Sequence, residues 1–403
     1  MTFKNYKKQK KKYKKMKKKD TKQRNISPSF KKGAIKENKE KDEFKINLIV
    51  NGVQDDDDET MSPQPKRRSK NQSKRLSLNE ESPNKSNKKS IDDDIQTVSK
   101  HSKDMKISDS QNHIKNISYI SQAGKGEDGF TKVNQDSYLV DLNEFKLGDF
   151  NVFGVLDGHG LNGHLVSQFV SKYIKSHLHK NKHVKHLTDE ESVYNQLKNN
   201  NYEIIRKLYT HAEREVGKSD IDANFSGTTC VIVFQSGTKL ITANVGDSRA
   251  IIVKGDEVFP LSIDQKPNNE HELKRILKHG GEVSQYEEDG VKSGPFRVWK
   301  KGEMYPGIAM SRSIGDLVAS TLGVIPEPEF TENEIDKDTK FIIVASDGVW
   351  EFLDNKTVKN IVMPFYLKND PEGAAKALIT ESTKWWNQED IVVDDITVVA
   401  VFF

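Results

Sequence analysis

Thr229-Cys230-Val231-Ile232-Val233-Phe234-Gln235-Ser236-Gly237-Thr238-Lys239-Leu240-Ile241-Thr242-Ala243-Asn244-Val245 reads as two strands joined by a tight turn. β-branched and aromatic residues dominate Thr229 to Gln235, an apolar run resumes from Leu240 to Val245, and Ser236-Gly237-Thr238-Lys239 supplies turn chemistry between them. Beyond Gly246-Asp247, Arg249 to Val253 adds a third strand. Connections this short predict an antiparallel meander.

The same pattern extends in both directions. Upstream, Phe150 to Leu156 reads as a buried strand that ends at Asp157-Gly158-His159-Gly160. Val166, Phe169, Val170, Tyr173 and Ile174 then recur at helical spacing. Downstream, Leu273, Ile276 and Leu277 mark a helix that stops at Gly280-Gly281, as a left-handed cap requires. Phe341 to Val344 is a strand entering Ser346-Asp347-Gly348, Ala374, Ala375 and Leu378 suit a late helix, and Ile396 to Phe402 is a last strand. Consecutive strands with helices interposed in groups predict a layered α+β fold, not a parallel sheet of βαβ units.

Charge divides the chain near residue 115. Residues 1 to 115 hold 32 of the 64 Lys and Arg but only 17 of the 60 Asp and Glu, a net of +15, which leaves −11 on residues 116 to 403. The first part has few aromatics and no Trp, too little apolar surface to offset its ordering entropy, and is read as a disordered basic tail. The 288 residues that follow are enough for one large core. Lys7 to Lys19 contains ten lysines. Such a run is read as solvated chain, with nuclear import or adhesion to acidic partners or an anionic surface as the sharper alternative. Ser69 and Ser77 follow basic residues as candidate phosphate acceptors, and Ile46 to Val50 is the tail's one apolar run.

The single cysteine, Cys230, excludes an internal disulfide and reads as a small buried apolar residue. No apolar run reaches the ~18 residues of a membrane span. Met1-Thr2 and the lysines after it are read as neither a myristoylation site nor a signal peptide. The expected location is the cytoplasm, the nucleus or both, and the expected state a monomer.

Asp136, Asp157, Asp247, Asp316 and Asp394 each border a short strand-like run. Loops at strand ends converge on one edge of a sheet, so distant carboxylates can meet there. They are hard oxygen ligands without a Cys/His set at zinc spacing, which implies Mg²⁺ or Mn²⁺. His177, His179, His183 and His186 form a patch among lysines and read as solvated surface.

Taken in order, Asn134-Gln135-Asp136, Asp157-Gly158-His159-Gly160, Ser226-Gly227-Thr228-Thr229, Ala243-Asn244-Val245-Gly246-Asp247-Ser248-Arg249, Ser311-Arg312-Ser313-Ile314-Gly315-Asp316, Ala345-Ser346-Asp347-Gly348 and Asp394-Asp395-Ile396-Thr397 resemble the motif series of metal-dependent serine/threonine protein phosphatases of type 2C. Asp264 with Pro267, then Glu272, Arg275-Ile276 and Gly280-Gly281, add a further block. The resemblance covers residues 116 to 403. It implies a four-layer sandwich, two central antiparallel β-sheets flanked by α-helices, with two metal ions at one end and phosphorylated proteins as substrates. Asp157 would bridge both ions, the Gly158 carbonyl would reach one, and Asp136 would bind nearby. Asp316 and Asp394 would complete the pair, and Asp247 with Asp316 would serve a third, weaker ion.

The chemistry agrees with those residue types. Two cations about 3.5 to 4 Å apart neutralise phosphate oxygens and lower the pKa of a bridging water for in-line attack. His159, in the turn after Asp157 and flanked by glycines, reads as the general acid for the leaving serine or threonine oxygen. Asp347 is assigned no direct ligand role, and Thr228, Thr229, Arg249 and Arg275 are read as structural. Thr131-Lys132 stands where many family members have a phosphate-gripping arginine, so Lys132 is the phosphate candidate, as a point charge without bidentate geometry. Gln135 replaces a glutamate. Residues 282 to 307 resemble the family's variable flap, where specificity resides. Two rival readings are a silent phosphatase-like binding module and a protein whose tail is its main functional part.

Overall fold

A computed structural model describes residues 113–142, 150–181, 187, 189–288 and 290–403. In chain order these residues form β1 (Asn116–Gln122), β2 (Ser137–Leu142), β3 (Phe150–Leu156), β4 (Gly158–His159), α1 (Gly163–Lys180), α2 (Glu190–Lys218), β5 (Gly227–Thr228), β6 (Cys230–Ser236), β7 (Lys239–Val245), β8 (Arg249–Lys254) and β9 (Glu257–Pro260). There follow α3 (Glu270–Lys278), β10 (Gly281–Glu288), β11 (Val291–Lys300), β12 (Pro306–Ile308), β13 (Ile314–Gly315), α4 (Leu317–Ser320), β14 (Glu329–Glu334), β15 (Thr339–Ala345), α5 (Asp347–Trp350), α6 (Asn355–Tyr366), α7 (Pro371–Glu389) and β16 (Ile396–Phe402).

Two five-stranded sheets, ordered β1-β16-β15-β8-β9 and β14-β7-β6-β3-β2, form the middle of the molecule. Every pairing within them is antiparallel. Side chains alternate across a strand, so the inner strands of a two-sided layer are largely apolar on both faces, whereas the edge strands β9 and β14 are not. In β3, Phe150, Val152 and Leu156 face α1 and α2, whereas Phe153 and Val155 face the opposite sheet. In β15, Ile342 and Val344 point into that same seam, while Phe341, Ile343 and Ala345 meet α6 and α7. The predicted four-layer order of helix, sheet, sheet and helix results. Each fully buried Val, Ile or Phe contributes roughly 1.5–3 kcal/mol.

The predicted hairpin is present as β6 and β7, with a turn two residues shorter than read, Gly237-Thr238. The meander is not. β8 leaves its hairpin and pairs with β15 and β9 in the other sheet. Gly246, at φ +101°, turns the chain out of the first sheet, and Ala250 and Ile252 then enter the seam from the far side. A short connection constrains distance but not which layer the next strand joins.

Some elements carried no clear pattern in the sequence. α2 is broken at Asn199–Tyr202, where Asn200, Asn201 and Tyr202 are left-handed. Such residues cost roughly 1–2 kcal/mol each outside glycine. Tyr202 stacked on Phe330 at 4.1 Å and Arg206 Nε donating to Asn201 O at 2.8 Å hold the break. Residues 282 to 307 contribute to a separate three-stranded sheet, β10-β11-β12.

The tail predicted for residues 1 to 115, with its lysine run, Ser69, Ser77 and Ile46 to Val50, lies outside the described residues up to 112. Ile114 is buried, and Lys115 N–H donates to Phe402 O at 2.8 Å. Cys230 is buried against the first helical layer, and burial pushes its thiol up to about 12. Among the described residues no helix is long and apolar enough to cross a membrane.

Candidate metal centre

Asp157 ends β3, Asp247 follows β7, Asp347 follows β15 and Asp394 precedes β16. The first two strands belong to one central sheet and the last two to the other. Their ends meet because both sheets are stacked in one sandwich. Backbone contacts tie the pieces together. Asp157 N–H donates to Thr229 Oγ1 at 2.9 Å, and Thr229 N–H donates to Asp157 O. Gly158 N–H donates to Gln135 O at 3.2 Å, bringing the loop of Asp136 alongside.

The carboxylates converge. Burial, then the neighbouring negative charges, pushes Asp157 and Asp347 well above the usual carboxylate range, Asp347 acting first among the charges on Asp157 and Asp394 first among those on Asp347. Burial, then Asp395, raises Asp136 to about 7, against Thr397 and Ser346, which donate to it. Ser346 Oγ donates to Asp136 Oδ2 at 2.8 Å. Asp136 Oδ1 and Asp247 Oδ1 are buried without a hydrogen-bond partner. Among the described residues two lysines reach in: Lys132 Nζ donates to Asp394 Oδ1 at 2.9 Å, and Lys266 Nζ donates to Asp247 Oδ2. Burial opposes both ammonium charges, yet Asp394 and Asp247 respectively raise their pKa.

Such a set fits a hard cation. Orphaned carboxylate oxygens and aspartates pushed towards their acid form mark charge that the protein itself leaves uncompensated. Among the described residues no three His, Cys, Asp or Glu side chains stand at ligand spacing as arranged.

His159 occupies the neighbouring ribbon β13-β5-β4, in which His159 pairs with Gly227 and Gly227 with Gly315. His159 Nε2 meets Asp316 Oδ2 at 2.6 Å, and Ser313 Oγ donates to the same oxygen at 2.6 Å. Gly227 is required here, because a Cβ at that position would lie 2.1 Å from Asp316 Oδ2. Burial would lower the imidazole pKa, but Asp316 outweighs it and the net shift is upward. His159 Nδ1 is buried without a partner.

The structure thus gathers Asp136, Asp157, Asp247 and Asp394 and sets Gly158 among them. Asp316 stands with His159, on which the charges of Asp247 and Asp347 also act. Lys132 is bound to Asp394 and lies 3.8 Å from Asp395. Gln135 turns away, its Nε2 donating to Gly160 O at 2.6 Å. Asp347, given no direct ligand role from the sequence, joins the carboxylates, and its position two residues after a buried strand was the available signal. Lys266, Ser346 and Asp395 were also missed. Asp395 accepts from Gly124 N–H and Gln135 N–H at 2.6 and 2.9 Å, fastening the Asp136 loop to the Asp394 loop.

The residues read as structural make structural contacts. Arg249 grips Asp264 through two nitrogens, and Arg275 holds Glu272, Gly323 O and Ser311 O. His177 bonds Tyr173 O and stacks on its ring, and His179 pairs with Asp141, whereas His183 and His186 lie outside the described residues. Cavities of about 630 Å³ between α1 and α2 and beside Phe330 contain no member of the carboxylate group.

Behind Asp316, Glu213 of α2 accepts from Gly315 N–H. Burial raises its carboxyl to about 7, with the Gly315 bond opposing and Asp316 adding. A raised folded pKa means that the acid form stabilises. The contribution is full below the unfolded value of about 4.3 and is lost as pH rises through 7. Glu213→Gln, neutral throughout, is therefore expected to raise Tm above wild type at pH 8 and to match it near pH 4.5. An identical Tm difference at both pH values would contradict this.

Comparison with known proteins follows the geometry. A family model described as "Protein phosphatase 2C" matches residues 126–390. The Arabidopsis thaliana "Probable protein phosphatase 2C 35" is 33% identical over 303 residues, covering 70% of this chain and 82% of the relative. The Oryza sativa "Probable protein phosphatase 2C 12" is 30% identical over 326 residues, covering 71% and 80%. Among solved structures, a serine-threonine phosphatase 2C from Toxoplasma gondii shares the fold with a TM-score of 0.59 at 20% identity, covering 73% of this chain and 96% of that one.

Proposed function

This chain belongs to the protein phosphatase 2C family of serine/threonine phosphatases, and we propose that it hydrolyses phosphoserine and phosphothreonine in proteins with Mg²⁺ or Mn²⁺, two ions per site, and without a covalent intermediate. The observation that carries this reading is the gathering of buried Asp136 with half-buried Asp157, Asp347 and Asp394, where Lys132 and Lys266 are the lysines that reach in among the described residues.

When bound, the ions supply charge neutralisation of the phosphate and an activated water. Asp157, Asp347, Asp394 and the Gly158 carbonyl are the groups assigned to hold them, with Asp136 beside them and Asp247 at a third, weaker position. Asp316 is assigned to His159 instead of a metal, because its Oδ2 already accepts from His159 and Ser313. His159 is the general acid assigned to the leaving oxygen, and Asp316, on its Nε2, keeps the imidazole charged. Lys132 steadies Asp394 and offers its other N–H groups to the substrate phosphate. The protein acts as a monomer in the cytoplasm or nucleus, its basic tail drawing it to acidic partners or import receptors.

Phosphate release from a phosphothreonine peptide tests the reading. Turnover is expected with Mn²⁺ or Mg²⁺ and background rates with a chelator. Peptide binding without phosphate release would identify a silent phosphatase-like module instead, and turnover indifferent to chelation would remove the metal assignment.

A further inference from the structure

We propose that the rim of this centre selects phosphorylated segments flanked by large apolar residues, with Leu161, Phe225 and Met304 receiving one side of the peptide and Phe130 and Val133 the other. The inference rests on the phosphatase reading and adds a substrate class to it.

Large apolar side chains exposed singly are ordinary on protein surfaces, but a concentration beside a polar site marks an interaction surface. Leu161 is 86% exposed, Phe130 75%, Val133 67%, Met304 64% and Phe225 54%. All five stand on short loops that also carry or brace the chemistry. Leu161 follows Gly160, one residue past His159, and Gly160 packs so closely on Phe225 O that a Cβ there would lie 2.1 Å from it. Phe225 precedes Ser226, whose carbonyl accepts from Asp316 N–H at 2.9 Å. The Phe225 ring meets Tyr305 edge-on at 6.2 Å, and Met304 is the residue before Tyr305 in the turn between β11 and β12, which brings that turn to the Phe225 loop.

Beside Asp394, Phe130 and Val133 bracket Lys132, which holds Asp394. Their loop is fixed by Lys125 pairing with Thr131 and with Val393, the residue before Asp394. A phosphorylated side chain that reaches Asp157 must lay its own backbone neighbours on these two lips. Leu and Phe there gain by leaving water, whereas Ser and Gly do not.

The full chain with Mn²⁺ is to be assayed on two phosphothreonine peptides that differ only in flanks, Leu and Phe against Ser and Gly. The apolar peptide is expected to show a kcat/KM about tenfold higher, mainly through KM, the scale of one well-covered apolar side chain. Leu161→Ser combined with Phe225→Ser is expected to bring the ratio close to one. Equal rates in wild type, or a preference that survives in this variant, overturn the proposal. So does an equal rise for both peptides in the variant, which would mean that these side chains are covered by another part of the chain or by a second copy. p-Nitrophenyl phosphate separates the two levels: its turnover together with equal peptide rates removes only the inference, and no turnover of any of the three compounds removes the phosphatase reading as well.

Discussion

Asp157→Asn is expected to reduce phosphothreonine hydrolysis by at least about a thousandfold while the metal-free protein becomes more heat-stable, not less. The two effects share one cause. Asp157 is half-buried, and desolvation, then the charges of Asp347, Asp136 and Asp394, raises its pKa. Its acid form is the stable one, so its contribution is complete below the unfolded value of about 3.9 and is lost as pH rises through the folded value. At neutral pH and without metal, ionisation therefore costs the wild type stability that asparagine does not lose. The Tm advantage of the variant should grow from pH 5 to pH 8. A cation that binds the folded state stabilises it by mass action, so Mn²⁺ should raise the Tm of wild type and much less that of the variant. A folded variant that turns over at the wild-type rate, or that gains as much Tm from Mn²⁺, would take Asp157 out of the centre.

His159→Gln should separate two kinds of substrate. Serine and threonine alkoxides are poor leaving groups and need a proton, so the loss on phosphothreonine should be about 10²–10³-fold. p-Nitrophenolate departs without one, and its release should fall far less. The partner residue moves the pH profile. Asp316 keeps the imidazole protonated to higher pH than usual, so Asp316→Asn should shift the alkaline limb of kcat to lower pH. Equal losses on both substrates would assign His159 a packing role, and an unmoved alkaline limb would break the pairing of His159 with Asp316 as a functional unit.

Much of this was legible in residue order. Phe150 to Leu156, Phe341 to Val344 and Ile396 to Phe402 declared themselves as strands because both their faces are buried, which demands unbroken apolar runs. Gly280 marked the end of α3 because its φ of +80° suits glycine. The transfer of β8 to the second sheet was not legible, since layer membership depends on which face finds a partner. The same limit governed the site. Asp157 and Asp394 could be proposed from their neighbours in sequence, but Asp316 and Asp347 both lie just beyond a strand, Asp316 immediately before the short helix α4 and Asp347 as the first residue of the short helix α5. Only the ribbon pairing Gly227 with Gly315 turns Asp316 towards His159, and only the stacking of the sheets brings Asp347 to Asp157.

That stacking has a broader consequence. Asp157 and Asp247 hang from one leaf of the sandwich and Asp347 and Asp394 from the other, so no single leaf owns the acidic cradle. The gap between opposing oxygens is gauged by the thickness of the apolar filling, Phe153, Val155, Ile252, Ile342 and Val344, like jaws set by a spacer. Grip on an ion bound there would rise and fall with the cohesion of the hydrocarbon interior.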